Sequence, residues 1–166
     1  RKPEPSWPEI EKLPHAEAIV SSSIQGQRLH VWSKGGGHNI YQCKTGELLE
    51  SAIIPFDGIL ESVYSCDEEH LLCYESGYVA WYNVQGVQKT VKFNGPVQHA
   101  LWNRHQASWH IAGWREEACI SQLEHESKQL DEIPMQIIQH DDTTLLLLND
   151  GTFLHSAFPI NSLAEE

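Results

Sequence analysis

Ten histidines stand out first, at His15, His30, His38, His70, His99, His105, His110, His125, His140 and His155. A zinc site takes three or four ligands and is usually announced by a close pair such as HxH or HExxH. Neither pattern occurs. His105 and His110, five apart on an expected hairpin, come nearest to such a pair, and nothing else joins them. The histidines are therefore read as turn and surface residues, and no metal is expected. Asp141-Asp142 and Glu68-Glu69 are paired carboxylates. An acid/base pair must face one shared cleft, whereas neighbouring strand residues point to opposite faces and turn residues point to water. These acids are read as solvated turn residues. No GxSxG and no protease-like cysteine context is present. Gly35-Gly36-Gly37 runs into His38 rather than a Lys-Ser pair, and it lies between strands, where a phosphate loop would need a helix start. No catalytic residue and no cofactor is assigned, and the chain is not expected to be an enzyme.

The aromatic residues say more. Trp32, Trp81, Trp102, Trp109 and Trp114 fall in expected strands. Trp109 and Trp114 have opposite parity, so a regular strand sends them to opposite faces. Either tryptophans of this kind fill the space between packed sheets, or one of them, or Trp102, stays exposed as an anchor for a partner. Exposed Trp, Tyr and Arg dominate interface hot spots. Arg104 and Arg115 sit next to these tryptophans in sequence. The candidate binding residues are thus Trp102, Arg104, Trp109, Trp114 and Arg115, together with Trp7 near the start of the chain. An exposed Trp could also stack on a sugar.

The elements that position these residues are short. The 166 residues suffice for one domain with a sizeable core. Hydrophobic residues make up 40% and charged residues 20%, as in ordinary globular chains. The net charge of -12 argues against nucleic-acid binding, which needs clustered Lys and Arg, and favours basic partners. The longest apolar run, Leu145-Leu146-Leu147-Leu148, is strand-sized, so no membrane insertion is expected. Four cysteines without a CxxC pair read as reduced thiols and point to the cytoplasm.

From Ile59 to Phe93 four strands follow one another: Ile59–Ser65, His70–Glu75, Tyr78–Val84 and Val87–Phe93, with Ser76-Gly77 and Gln85-Gly86 as turns. Four more precede them, at 17–25, 27–34, 38–44 and 47–54. Four follow, at 97–103, 108–114, 118–124 and 129–133. A last set of three covers 135–140, 144–149 and 152–158. Tyr41 with Gly46 matches Trp81 with Gly86 at a shift of 40, and Ile40, Ala80 and Ile120 share that shift. Four strands per unit of about 40 residues is the pattern of propeller blades.

The stretch Ile40-Tyr41-Gln42-Cys43-Lys44-Thr45-Gly46-Glu47-Leu48-Leu49 resembles the third strand, Thr-Gly turn and fourth strand of a WD40-type blade, and Val79 to Gly86 is similar. No Trp-Asp dipeptide occurs, and Gly37-His38 stands elsewhere than the Gly-His pair of that family. The resemblance implies an all-β, partial or small β-propeller of about four blades, with a β-sandwich as the alternative. It also implies a scaffold that binds other protein chains. The expected organisation is a Pro-rich arm over 1–16, repeats over 17–160 (about 17–54, 58–94, 96–134 and 135–160) and a tail over 161–166. The expected role is a non-catalytic interaction scaffold, one subunit or fragment of a larger assembly, whose partner chains could complete the propeller. A sugar or small-ligand binding module and an enzyme with its site at the channel mouth are the alternatives.

Overall fold

A computed structural model describes residues 18–122 and 125–155. Trp7, the proline-rich arm and the tail lie outside the described residues. Among the described residues every regular element is a strand, and no helix is long and apolar enough to cross a membrane. The strands are Ile19–Gln25 (β1), Arg28–Ser33 (β2), Gly37–Gln42 (β3), Leu48–Ile53 (β4), Leu60–Cys66 (β5), Glu69–Tyr74 (β6), Tyr78–Asn83 (β7), Gly86–Lys92 (β8), His99–Asn103 (β9), Ser108–Gly113 (β10), Glu116–Ser121 (β11), His125–Gln129 (β12), Pro134–His140 (β13), Thr143–Leu148 (β14) and Phe153–His155 (β15).

They pair in chain order into four antiparallel sheets, β1-β2-β3-β4, β5-β6-β7-β8, β9-β10-β11-β12 and β13-β14-β15. This is the sequential arrangement of propeller blades, and it replaces the two-sheet sandwich alternative. The chain divides into two compact units, with the boundary between Val63 and Tyr64 inside β5.

Turn chemistry explains the tight pairing. Asp67 and Glu68, the only residues between β5 and β6, both take positive φ (51° and 68°), the requirement of a two-residue hairpin whose twist matches the strands. One strand differs from expectation. The third sheet ends with His125–Gln129 rather than 129–133. This strand is polar and exposed throughout, so main-chain pairing with β11 alone holds it, and no apolar alternation marks it.

In the first unit, Trp32 is fully buried and stacks on His38, with ring centroids 3.7 Å apart. In the second, one core joins the β5-β8 and β9-β12 sheets. Leu71, Val79, Trp81, Val91 and Phe93 from the former meet Trp102, Trp109, Ile111 and Ile120 from the latter. A smaller core on the opposite face of the third sheet joins Ala112 and Leu130 to Leu146 and Leu148 of β14. The third sheet is therefore covered on both sides, and β10 and β11 are buried at every residue.

Candidate interaction surface

Strand β10 separates the candidate residues into two groups. It runs from the loop containing Arg104 to the turn made of Trp114 and Arg115. Six residues at ~3.4 Å each put those ends about 17 Å apart. Arg104 and Arg115, near each other in sequence terms, thus serve opposite ends of the sheet.

The Arg104 end is bound up in the fold. Arg104 Nε donates to Asp67 Oδ2, and Nη2 reaches Cys66 Sγ at 3.4 Å. The guanidinium hydrogen bond holds the Asp67 carboxyl below its usual range. Burial, then the Asp67 charge, pushes the Cys66 thiol up, so this cysteine is a poor nucleophile. Next to it, Asn103 Oδ1 accepts from the amides of His105 and Gln106, while its Nδ2 donates to Thr144 Oγ1 and the Asp142 carbonyl. Asn103 thus shapes the β9–β10 loop and ties it to the fourth sheet.

The other end is open. Gly113 closes β10, and a Cβ there would fall 2.6 Å from the Pro96 carbonyl oxygen and 2.8 Å from the Phe93 ring. Only glycine lets the strand end come so close to that core. Arg115 takes φ 57°, and its carbonyl accepts from the amide of buried Leu130 at 2.7 Å. The turn backbone is pinned while both side chains are exposed, Trp114 at 59%.

Trp102 and Trp109 do not belong to a surface. Trp109 is 1% exposed, and it packs against Trp102, which packs in turn against Trp81, at centroid distances of 5.7 and 5.5 Å. Packing between sheets takes both residues, and this corrects their inclusion among exposed anchors. Trp114 lies beyond the end of β10, in the turn, so its exposure does not come from strand alternation.

The histidines also need correction. His30, His70 and His110 are buried, and they recur at a shift of 40 on the second strands β2, β6 and β10. They are not turn residues, and the shift that linked Ile40, Ala80 and Ile120 would have found them. His30 Nδ1 lies 2.9 Å from Nε2 of buried His38, so one donates and the other accepts. Burial, then the neighbouring His30, lowers the His38 pKa to about 3. His70 Nδ1 is 2.7 Å from the Ser65 hydroxyl. His110 Nε2 lies 3.0 Å from Gln106 Oε1 and 3.7 Å from Cys119 Sγ. Burial lowers its pKa to about 4, which keeps the ring neutral. A neutral His beside a Cys has the composition of a base and nucleophile. Both are buried, however, so the pair packs the sheet rather than meeting a substrate.

Glu69 is likewise structural and not a solvated turn acid. It lies in β6, where Oε1 accepts from Trp81 Nε1 at 2.7 Å and Asn83 Nδ2 at 3.1 Å. Asp141 and Asp142 are exposed at the β13–β14 turn, as expected. Glu116 is buried at the start of β11. Burial raises its pKa against the opposing hydrogen bonds from Asn94.

No family model and no curated protein matches this sequence. Solved structures do match its fold. The computationally designed Ika4 protein superposes with a TM-score of 0.63 at 12% identity, over 91% of this chain and 98% of that one. The Cps50 (Swd1) β-propeller domain of Myceliophteria thermophila gives 0.63 at 14% identity, over 89% of this chain and 55% of that one. The Neurospora crassa Pan2 WD40 domain gives 0.57 at 13% identity, over 86% and 47% respectively. The chain therefore has the architecture of a β-propeller, similar to that of WD40 domains. It spans nearly all of the designed chain and about half of each natural propeller chain.

Proposed function

We propose that this chain is a non-catalytic interaction module that holds another protein at the Trp114–Arg115 turn. The observation that carries the reading is the exposure of Trp114. The side chain projects from a backbone fixed by Gly113 and by the Leu130 hydrogen bond, on a sheet buried along both faces. A rigid aromatic beside an arginine binds at low entropic cost and supplies both apolar area and donors. The chain's net charge of -12 favours a partner with a basic surface around its Trp pocket. The four cysteines are free thiols, as a reducing compartment keeps them, and the reading includes a cytoplasmic location.

Affinity capture with the wild-type chain and with Trp114→Ala tests this. A partner retained by the wild type and by Arg104→Ala, but lost with Trp114→Ala, supports the reading. Equal capture by all three overturns it. A tryptophan-emission titration with oligosaccharides separates the carbohydrate alternative, for which saturable quenching removed by Trp114→Ala is the signature.

A further inference from the structure

The fourth sheet has one covered face and one open face. Ile137, Leu146 and Leu154 lie in one cross-strand row against the third sheet. On the opposite side, Gln136, Leu147 and Phe153 form one row and Ile138, Leu145 and His155 another. Phe153 is 55% exposed, and Ile138, Leu145 and Leu147 are half-buried. Strand β14 thus carries leucines on both faces, as a strand covered on both sides does, and Ile138 and Phe153 extend the open set beside Gln136 and His155. The rim of this sheet is acidic. Residues 131–155 contain Asp131, Glu132, Asp141, Asp142 and Asp150, with no Lys or Arg.

The first sheet offers the complement. Ile24, Leu29, Tyr41 and Leu48 make one cross-strand row through all four strands. Ile24, at 65%, and Leu48 are exposed, Leu29 is half-buried, and Tyr41 is buried beneath them. Lys34 and Lys44 are exposed at the turns after β2 and β3.

From this we infer that the open face of the fourth sheet receives the first sheet of a second copy of this chain, by the kind of sheet-on-sheet packing that already joins the third and fourth sheets. Apolar rows meet, and the lysine-bearing turns approach the acidic rim. Charge favours this occupant: residues 131–155 carry five acids and no Lys or Arg, and the turns of the first sheet carry exposed Lys34 and Lys44. Two copies bring eight sheets, within the range of about 4–8 that propellers hold. The contact is heterologous, with different surfaces on the two copies. It does not involve Trp114, so it stands apart from the surface proposed above.

Sedimentation equilibrium of the 166-residue chain at about 10–100 μM tests the inference, with burial of one unpaired charge set against about tenfold per 1.4 kcal/mol. The expected mass is twice 18.9 kDa. Phe153→Asp alters an exposed side chain, so its fold should be kept, as checked by circular dichroism. It should raise the dissociation constant at least tenfold, and Leu147→Asp should do the same. Lys34→Glu combined with Lys44→Glu should weaken the dimer several-fold. Trp114→Ala should leave the mass unchanged. A wild type that sediments as 18.9 kDa at 100 μM overturns the inference, as does a dimer that folded Phe153→Asp and Leu147→Asp leave intact.

Discussion

The third and fourth sheets are built from similar strands and differ in what covers them. In the third, β10 and β11 are buried at every position. In the fourth, β14 alternates strictly, with Thr144, Leu146 and Leu148 buried and the residues between them half-buried. The sequence of β14, Thr-Thr-Leu-Leu-Leu-Leu, is at least as apolar as that of β10, Ser-Trp-His-Ile-Ala-Gly. Burial here follows the number of neighbouring sheets and not the hydrophobicity of the strand itself. Composition alone would have ranked the two the other way.

That contrast can be broken most sharply at Trp109. Trp109→Ala removes the most buried of the three tryptophans in the core between the second and third sheets, and it should cost about 3–5 kcal/mol in a chemical unfolding experiment. Leu146→Ala, on the covered face of the fourth sheet, should cost about 2–4 kcal/mol. A Leu147→Ala variant on the open face should cost clearly less than Leu146→Ala in a chain kept monomeric. Equal losses would show that both faces are covered.

Acid should act on the buried histidines. His110 titrates near 4 in the fold and near 6.5 when unfolded. The unfolded chain therefore takes up the proton first. Stability is complete above pH 6.5, drains as the pH falls from 6.5 towards 4, and levels off below that. The loss is on the order of 3 kcal/mol for this ring. His38, lowered to about 3, adds a loss of the same sign over a wider window. Urea midpoints measured across this range check the slope, and His110→Gln should flatten it. The smallest effect belongs to the exposed Arg104–Asp67 pair. Arg104→Ala should leave the urea midpoint almost unchanged.

Much of the architecture was legible because turns and strands obey local rules. Ser76-Gly77 and Asp150-Gly151 mark their hairpins, and Tyr78 to Asn83 is rich in the aromatic and β-branched residues that fit a pleated surface. The polar strand β12 was misplaced because main-chain pairing leaves no trace in side-chain pattern. Tryptophan exposure was half legible. Nothing in the sequence tells Trp114, which is exposed, from Trp102 and Trp109, which are buried, since inside and outside are decided by a neighbouring sheet some tens of residues away. The buried histidines escaped for a simpler reason. Metal-ligand motifs place their residues within a few positions of one another, while these rings recur once per blade.

Trp114 also has an optical consequence. Trp32, Trp81, Trp102 and Trp109 are shielded from water, and Trp114 is the sole solvent-facing indole among the described residues. A small neutral quencher such as acrylamide should reach that indole and bypass the other four. A molecule that lands on the β10–β11 turn should then remove the share of the quenching that Trp114→Ala also removes, which gives the protein a label it was not given by chemistry.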